Sequence, residues 1–212
     1  MRLLFLGDVV GRSGREAITD NLPEWRKKLS LDLVVVNAEN ASHGYGLSPD
    51  IARSLFSAGV DVITLGNHAW DRRDMVSHIS QMPNIVRPIN YPAGTPGQGS
   101  YIIDLERGRR ALVVNVMGRI FMDPLDDPFR VVGELLSRHR LGVTVNAIVV
   151  DIHAEATSEK MGFGQFFDGR VSLVVGTHTH GPPADHRILP KGPAIQTSAA
   201  ISCVLSALIG MG

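Results

Sequence analysis

Short runs of Leu, Val and Ile alternate along this chain with longer segments whose apolar residues recur at helical spacing. Leu3-Leu4-Phe5-Leu6, Leu33-Val34-Val35-Val36 and residues 60–65, 147–150 and 171–175 read as buried strands. Ile18, Leu22, Trp25 and Leu29 share one face of a helix predicted over 14–29. Ser48 is placed to cap a helix whose first turn holds Pro49 and Asp50, and Asp127 with Pro128 starts another that runs to 139. Further helices are expected near 72–81 and 158–167, and a hairpin pairs 100–105 with 111–116 around Arg107-Gly108-Arg109. Between them, Pro83, Pro88, Pro92 and Pro96 with Gly94, Gly97 and Gly99 predict an ordered but irregular loop. Alternation of strand and helix implies parallel strands joined by crossovers. The expected class is α/β, one domain over 1–212, with two sheets covered by helices.

Polar residues enter where the strands end. Asp8 follows the first strand, Ala38-Glu39-Asn40 the second, and Gly66-Asn67-His68 the third. Asp151-Ile152-His153-Ala154-Glu155 and Gly176-Thr177-His178-Thr179-His180 follow the last two. Taken singly, each has a plainer explanation: a helix cap, solvated filler, a hydrogen-bonded structural His or a tight turn. Together they put oxygen and nitrogen donors along one edge of one sheet, the edge where open α/β sheets bind ligands. Carboxylates, amides and imidazoles in one place suit Mn, Fe or Zn better than Ca or Mg. His178 and His180, two apart, are expected to face the same side of an extended segment. A pair of divalent ions suggests phosphate ester hydrolysis.

Composition narrows the alternatives. The chain has 21 Lys plus Arg against 21 Asp plus Glu, so no basic footprint argues for duplex nucleic acid or an anionic membrane. The single cysteine, Cys203, excludes an internal disulfide and a Cys-rich zinc site, and fits the cytoplasm. The N-terminal apolar run is too short for a signal peptide. Residues 192–212 carry no charge, but their densest apolar part falls short of a membrane span. No Gly-x-Gly-x-x-Gly follows the first strand, which argues against a dinucleotide-binding dehydrogenase.

Gly66-Asn67-His68 and Gly176-Thr177-His178-Thr179-His180 resemble two signature blocks of the binuclear metallophosphoesterases. More narrowly, the chain resembles the bacterial 2′,3′-cyclic-nucleotide 2′-phosphodiesterase branch of that superfamily. The matching stretches are residues 7–11, 37–40, 66–71, 117–124, 153–160 and 187–192, in one register from 1 to about 197. The resemblance implies a calcineurin-like α/β fold, two mixed sheets flanked by helices in a four-layer α/β/β/α sandwich. It implies that Asp8, Glu39 and His180 hold one metal, and that Glu39, Asn67, His153 and His178 hold the other, with Asn40 in the ligand shell. Fe or Mn is favoured and Zn allowed. Asp8 is followed by Val9-Val10 where the wider superfamily has Asp-x-His, so one imidazole is missing from the first metal.

The expected reaction is attack on phosphorus by a hydroxide held by the metal pair; that a 2′,3′-cyclic nucleotide opens to a 3′-nucleotide is implied by the resemblance alone. His68 is assigned as general acid to the leaving oxygen. His43, in the glycine-containing loop after Glu39, is a candidate substrate contact. Gly11 is expected to make room for the metal loop, Glu155, Thr157 or Ser158 to orient His153 or cap the next helix, and Trp25 and Trp70 to pack. After Thr197 the sequence departs from the family, where an acidic, Gly-containing segment and some tens of residues usually follow. The atypical apolar segment 198–212 is expected to cover itself against a second subunit. Other readings keep the metals but broaden the substrate to phosphomonoesters or other diesters, or make the protein a regulatory scaffold with a residual metal site.

Overall fold

A computed structural model describes residues 1–202; Cys203 and the rest of the expected apolar segment lie outside the described residues. A four-stranded sheet has the order β1 (Leu3–Leu6), β3 (Leu33–Asn37), β4 (Val62–Thr64), β5 (Ile85–Val86). A six-stranded sheet has the order β10 (Arg187–Ile188), β11 (Ala194–Gln196), β9 (Leu173–His178), β8 (Ala147–Ala154), β7 (Arg110–Met117), β6 (Ser100–Asp104). The smaller sheet is wholly parallel rather than mixed, each adjacent pair running the same way. The larger is mixed, with antiparallel strands at both edges. Two short strands, β2 (Asp8–Val9) and β12 (Ile201–Ser202), pair in parallel, with Ile201 opposite Asp8.

The period-two pattern of the strands sorts their side chains onto two faces. Val34 and Val36 of β3 meet Ile18 and Leu22 of α1 (Gly11–Leu29) and Ala52 and Leu55 of α2 (Pro49–Ala58). Leu33 and Val35, on the opposite face, join Val62 and Val86 against Ala111, Val113 and Ala147 of the larger sheet. Leu112, Val114 and Val116 turn the other way, onto Val132 and Leu136 of α4 (Pro128–Arg138) and Phe163 of α5 (Thr157–Phe166). Each fully buried Val or Leu contributes roughly 1.5–3 kcal/mol, so an acid at Val35 would break the seam between the sheets.

Caps appear where expected: Ser48 accepts from Ile51 N at 3.4 Å, and Asp127 from Phe129 N at 2.9 Å. Helix α1 starts three residues earlier than its apolar face indicated, and Leu29 is 46% exposed rather than packed. Residues 83–99 contribute β5, and the buried Arg87 guanidinium organises the rest by donating to the carbonyls of Pro88, Thr95, Pro96 and Gly97. Helix α3 (Arg73–His78) is shorter than predicted. No helix of the described residues is long and apolar enough to cross a membrane.

Candidate metal centre

The five strand-end clusters meet, but they come from two sheets rather than from one. β3 and β4 deliver Glu39-Asn40 and Asn67-His68 from the four-stranded sheet, and β8 and β9 deliver His153 and His178 from the six-stranded one, while Asp8 follows β1 on the short strand β2. β8 continues four residues beyond the apolar run 147–150, so Asp151 and His153 lie on the strand, where period two gives them one face. Asp8, Glu39, Asn40 and His153 are all buried.

Glu39 Oε1 lies 3.1 Å from His153 Nε2, and Asn67 Oδ1 lies 2.8 Å from the same nitrogen. Asn40 Nδ2 donates to Glu39 Oε1 at 3.0 Å, and the His68 N–H donates to Glu39 Oε2 at 3.2 Å. The His178 ring stands edge-on to His153, centroids 4.9 Å apart. Glu39, His153 and His178 each offer a donor atom within 4.8 Å of the others. Beside them, Asp8 Oδ2 is 3.2 Å from His180 Nε2 and accepts the His178 N–H at 3.2 Å. His178 and His180 do not share a direction: β9 ends at His178, whose φ of 82° turns the chain. One ring therefore joins the Glu39 group and the other joins Asp8.

These residues fit a divalent metal. Asp8 Oδ1 and Asn40 Oδ1 are buried oxygens with no hydrogen-bond donor, a costly condition that a cation relieves. A Cβ on Gly66 would collide with Glu39 Oε2 and His153 Nε2, so this glycine keeps the middle of the donor set clear. Carboxylate, amide oxygen and imidazole are the donors that mid-series transition metals accept.

The electrostatics follow from burial and pairing. Burial pushes the Glu39 carboxyl up, but the charge and hydrogen bond of His153 overcome it and hold Glu39 low; burial pushes His153 down, and Glu39 lifts it above its usual range. Burial, with His153 nearby, lowers His178, while the hydrogen bond to Asp8 raises His180. Burial drives Asp151 up to about 6 against the opposing effects of His153, Thr177, Thr64 and Asn37.

Several supporting residues escaped sequence reasoning. His68 Nδ1 contacts Asp71 Oδ2 at 2.6 Å, and the Tyr45 ring stands edge-on to His68 at 5.5 Å. The three-residue separation of His68 and Asp71 was the available clue. His153 Nδ1 meets Thr177 Oγ1 at 2.9 Å, a partner to which the sequence assigns no role. Buried Lys160 donates to Thr179 Oγ1 at 2.7 Å, and burial lowers its pKa to about 8. Glu155 contacts His178 Nε2 at 3.2 Å rather than orienting His153, and neither Thr157 nor Ser158 caps α5. Gly11 does not make room, since a Cβ there would meet nothing within 4 Å; its φ of 63° is what requires glycine. His43 is exposed on the loop at φ 56°, outside the contacts above. Trp70 packs edge-on to Tyr91, as expected of a packing residue.

The profile of a family described as YmdB-like protein matches residues 4–212. The chain is 44% identical to the 2′,3′-cyclic-nucleotide 2′-phosphodiesterase of Bacillus subtilis (strain 168), over 100% of this chain and 79% of that one. A crystal structure of a hypothetical protein from Thermus thermophilus superposes with a TM-score of 0.91 at 45% identity, covering 98% of this chain and 79% of that chain. The structure of a novel phosphatase from Mycoplasma pneumoniae follows, with a TM-score of 0.86 at 39% identity, covering 94% and 71%.

Proposed function

The chain belongs to the YmdB-like protein family, and from that premise we propose that it is a phosphoric ester hydrolase that opens 2′,3′-cyclic nucleotides to 3′-nucleotides. One observation carries the reading. Glu39, His153 and His178 bring donor atoms within 4.8 Å of one another where Gly66 has no side chain to intrude. The name of the Bacillus subtilis relative supports cleavage at the 2′ oxygen.

In this reading Asp8, Glu39 and His180 hold one divalent ion, and Glu39, Asn67, His153 and His178 a second, with Asn40 in the ligand shell. The donor mixture favours Fe or Mn and allows Zn. Bound there, the ions supply Lewis acidity toward phosphoryl oxygens and make water nucleophilic near neutral pH. The protein's own residues do the remainder. Asn40 and the His68 N–H hold Glu39 in one orientation. Asp71 occupies His68 Nδ1, which leaves Nε2 to give a proton to the 2′ oxygen as its bond to phosphorus breaks. Water supplies the oxygen that replaces it, and the phosphate stays on the 3′ position. His43 touches the substrate from the loop rim.

The same proposal includes the stacking of helix, sheet, sheet and helix as four layers, which the three apolar clusters support. It also includes a cytoplasmic protein without a membrane or duplex nucleic acid partner, and self-association through the atypical segment 198–212 of a single 1–212 domain. A second reading, hydrolysis of phosphomonoesters, draws on the Mycoplasma pneumoniae phosphatase. Metal analysis of untagged protein, with assays of 2′,3′-cyclic AMP and p-nitrophenyl phosphate, tests both. About two metals per chain and 3′-AMP as product support the first reading. Turnover confined to the monoester overturns it in favour of the second, and a protein that binds no metal overturns both.

A further inference from the structure

Beneath the donor cluster lies a buried polar group that no step above uses. The Asp151 carboxylate accepts from Thr177 Oγ1 at 2.6 Å, from Thr64 Oγ1 at 2.5 Å and from Asn37 Nδ2 at 3.0 Å. All four side chains are buried. Asn37 and Thr64 belong to the smaller sheet, Asp151 and Thr177 to the larger, so one carboxylate ties the two sheets together. The amide orientation of Asn37 is settled by its other contacts: Oδ1 accepts the Glu39 N–H at 3.2 Å, and Nδ2 also donates to Leu65 O at 3.1 Å. Those contacts lead directly into the loops that carry Glu39 and Asn67.

A hydroxyl has one proton to give. Thr177 gives it to Asp151, whose carboxylate is already the acceptor of Asn37. Thr177 Oγ1 must then accept from His153 Nδ1, which lies 2.9 Å away. With Nδ1 committed to Thr177, His153 has Nε2, the nitrogen that faces Glu39 and Asn67, left to meet a metal in place of its proton.

We infer that Thr177 and Asp151 are positioning residues: together they hold His153 in the tautomer whose Nε2 can bind a metal, and they fix the spacing between the donors of the two sheets. The inference rests on the proposal that His153 is a ligand. It assigns no contact with substrate to either residue.

The test uses the full chain as wild type, Thr177→Val, Thr177→Ser and Thr64→Val. Zinc affinity is measured by competition with a chromophoric chelator. The nitrogen of His153 that carries the proton is read from 15N shifts of histidine-labelled, zinc-loaded protein. Thr177→Val is expected to lose roughly 10–100-fold in affinity, as removal of such a partner typically does. Thr177→Ser, which restores the hydroxyl, should return to within a few-fold of wild type. Thr64→Val, which touches no proposed ligand, should show a smaller loss and keeps the idea testable if Thr177→Val does not fold. Wild-type His153 should show a protonated Nδ1 and a zinc-bound Nε2, and the valine variant a weakened or mixed pattern. Equal affinity in a folded Thr177→Val, no rescue by serine, or no loss in Thr64→Val would each overturn the inference while leaving the proposed function intact. A wild type that binds no zinc, manganese or iron fails earlier and takes both down.

Discussion

The two ends of the sheets treat their acids in opposite ways. At the amino end, just before β3, Asp32 accepts from Arg109 Nη2 at 2.6 Å, from Arg109 Nη1 at 3.2 Å and from the Arg2 N–H at 2.7 Å. Just before β4, Asp61 accepts from Arg26 at 2.8 Å and from the Val34 N–H at 2.7 Å. At the carboxyl end, no Arg or Lys among the described residues forms an ion pair with Asp8, Glu39 or Asp151. Histidines stand beside Asp8 and Glu39 instead, hydroxyls and an amide beside Asp151, and Asp8 Oδ1 has no donor at all. An acid at a strand end is thus not a ligand by position. What separates structure from chemistry is whether the fold supplies a guanidinium or leaves the oxygen free for a cation.

Substitutions can break this contrast from either side. The largest effect is expected from Gly66→Ala, whose methyl group would intrude between Glu39 and His153; metal content and turnover should fall together, as elemental analysis beside an activity assay will tell. His68→Ala should lower kcat by roughly 10²–10⁴-fold, the usual contribution of a general acid, with metal content unchanged. A variant that lost its metals would instead make His68 part of the scaffold. At the amino end, Asp61→Ala leaves the Arg26 guanidinium with the Gly59 carbonyl alone and removes the acceptor of the Val34 N–H; it should destabilise by about 2 kcal/mol, seen in urea unfolding, without changing turnover of the folded fraction.

Asp8→Asn sharpens the comparison. With metal removed by chelation it should raise stability by about 1 kcal/mol, or roughly 2–4 °C in Tm, because a buried charge with donors on only one of its two oxygens is removed. A fall in Tm would show that the two ends are built alike. The smallest effect concerns pH. Hydrogen bonds from Arg109 and from the Arg2 N–H hold Asp32 at about 2, below its ordinary 3.8. Its contribution is therefore present above about pH 4 and is lost as pH falls through about 2. Asp32→Asn should have a lower Tm than wild type at pH 7, and the gap should close under acid.

Much of this was legible in the chain. The strands, the Ser48 and Asp127 caps and all five polar clusters could be read from local pattern, because apolar periodicity and capping are properties of neighbouring residues. Convergence from two sheets could not, since it depends on pairings such as β7 with β8 that no local pattern encodes. The turn at His178 was hidden for a related reason: a left-handed φ at a histidine has no compositional sign. Thr177 and Asp71 were missed because a hydroxyl or carboxylate becomes an orienting partner only once packing brings it to an imidazole. Ile85–Val86 was hidden in a run of Pro and Gly and became a strand through its parallel pairing with Ile63 and Thr64.

The pairing of β12 with β2 has a practical side. Ile201 lies opposite Asp8, and the Ala199 and Ala200 carbonyls press so closely on Gly7 that a Cβ there would collide with them. Residues 199–202 are thus held next to the strand that carries Asp8, while the amine of Met1 lies beside Asp32, at the end held by arginines. Purification handles, fluorescent partners and immobilisation linkers belong on the amino terminus. Changes at residues 199–202 would pull on a proposed metal ligand and be misread as weak cofactor affinity.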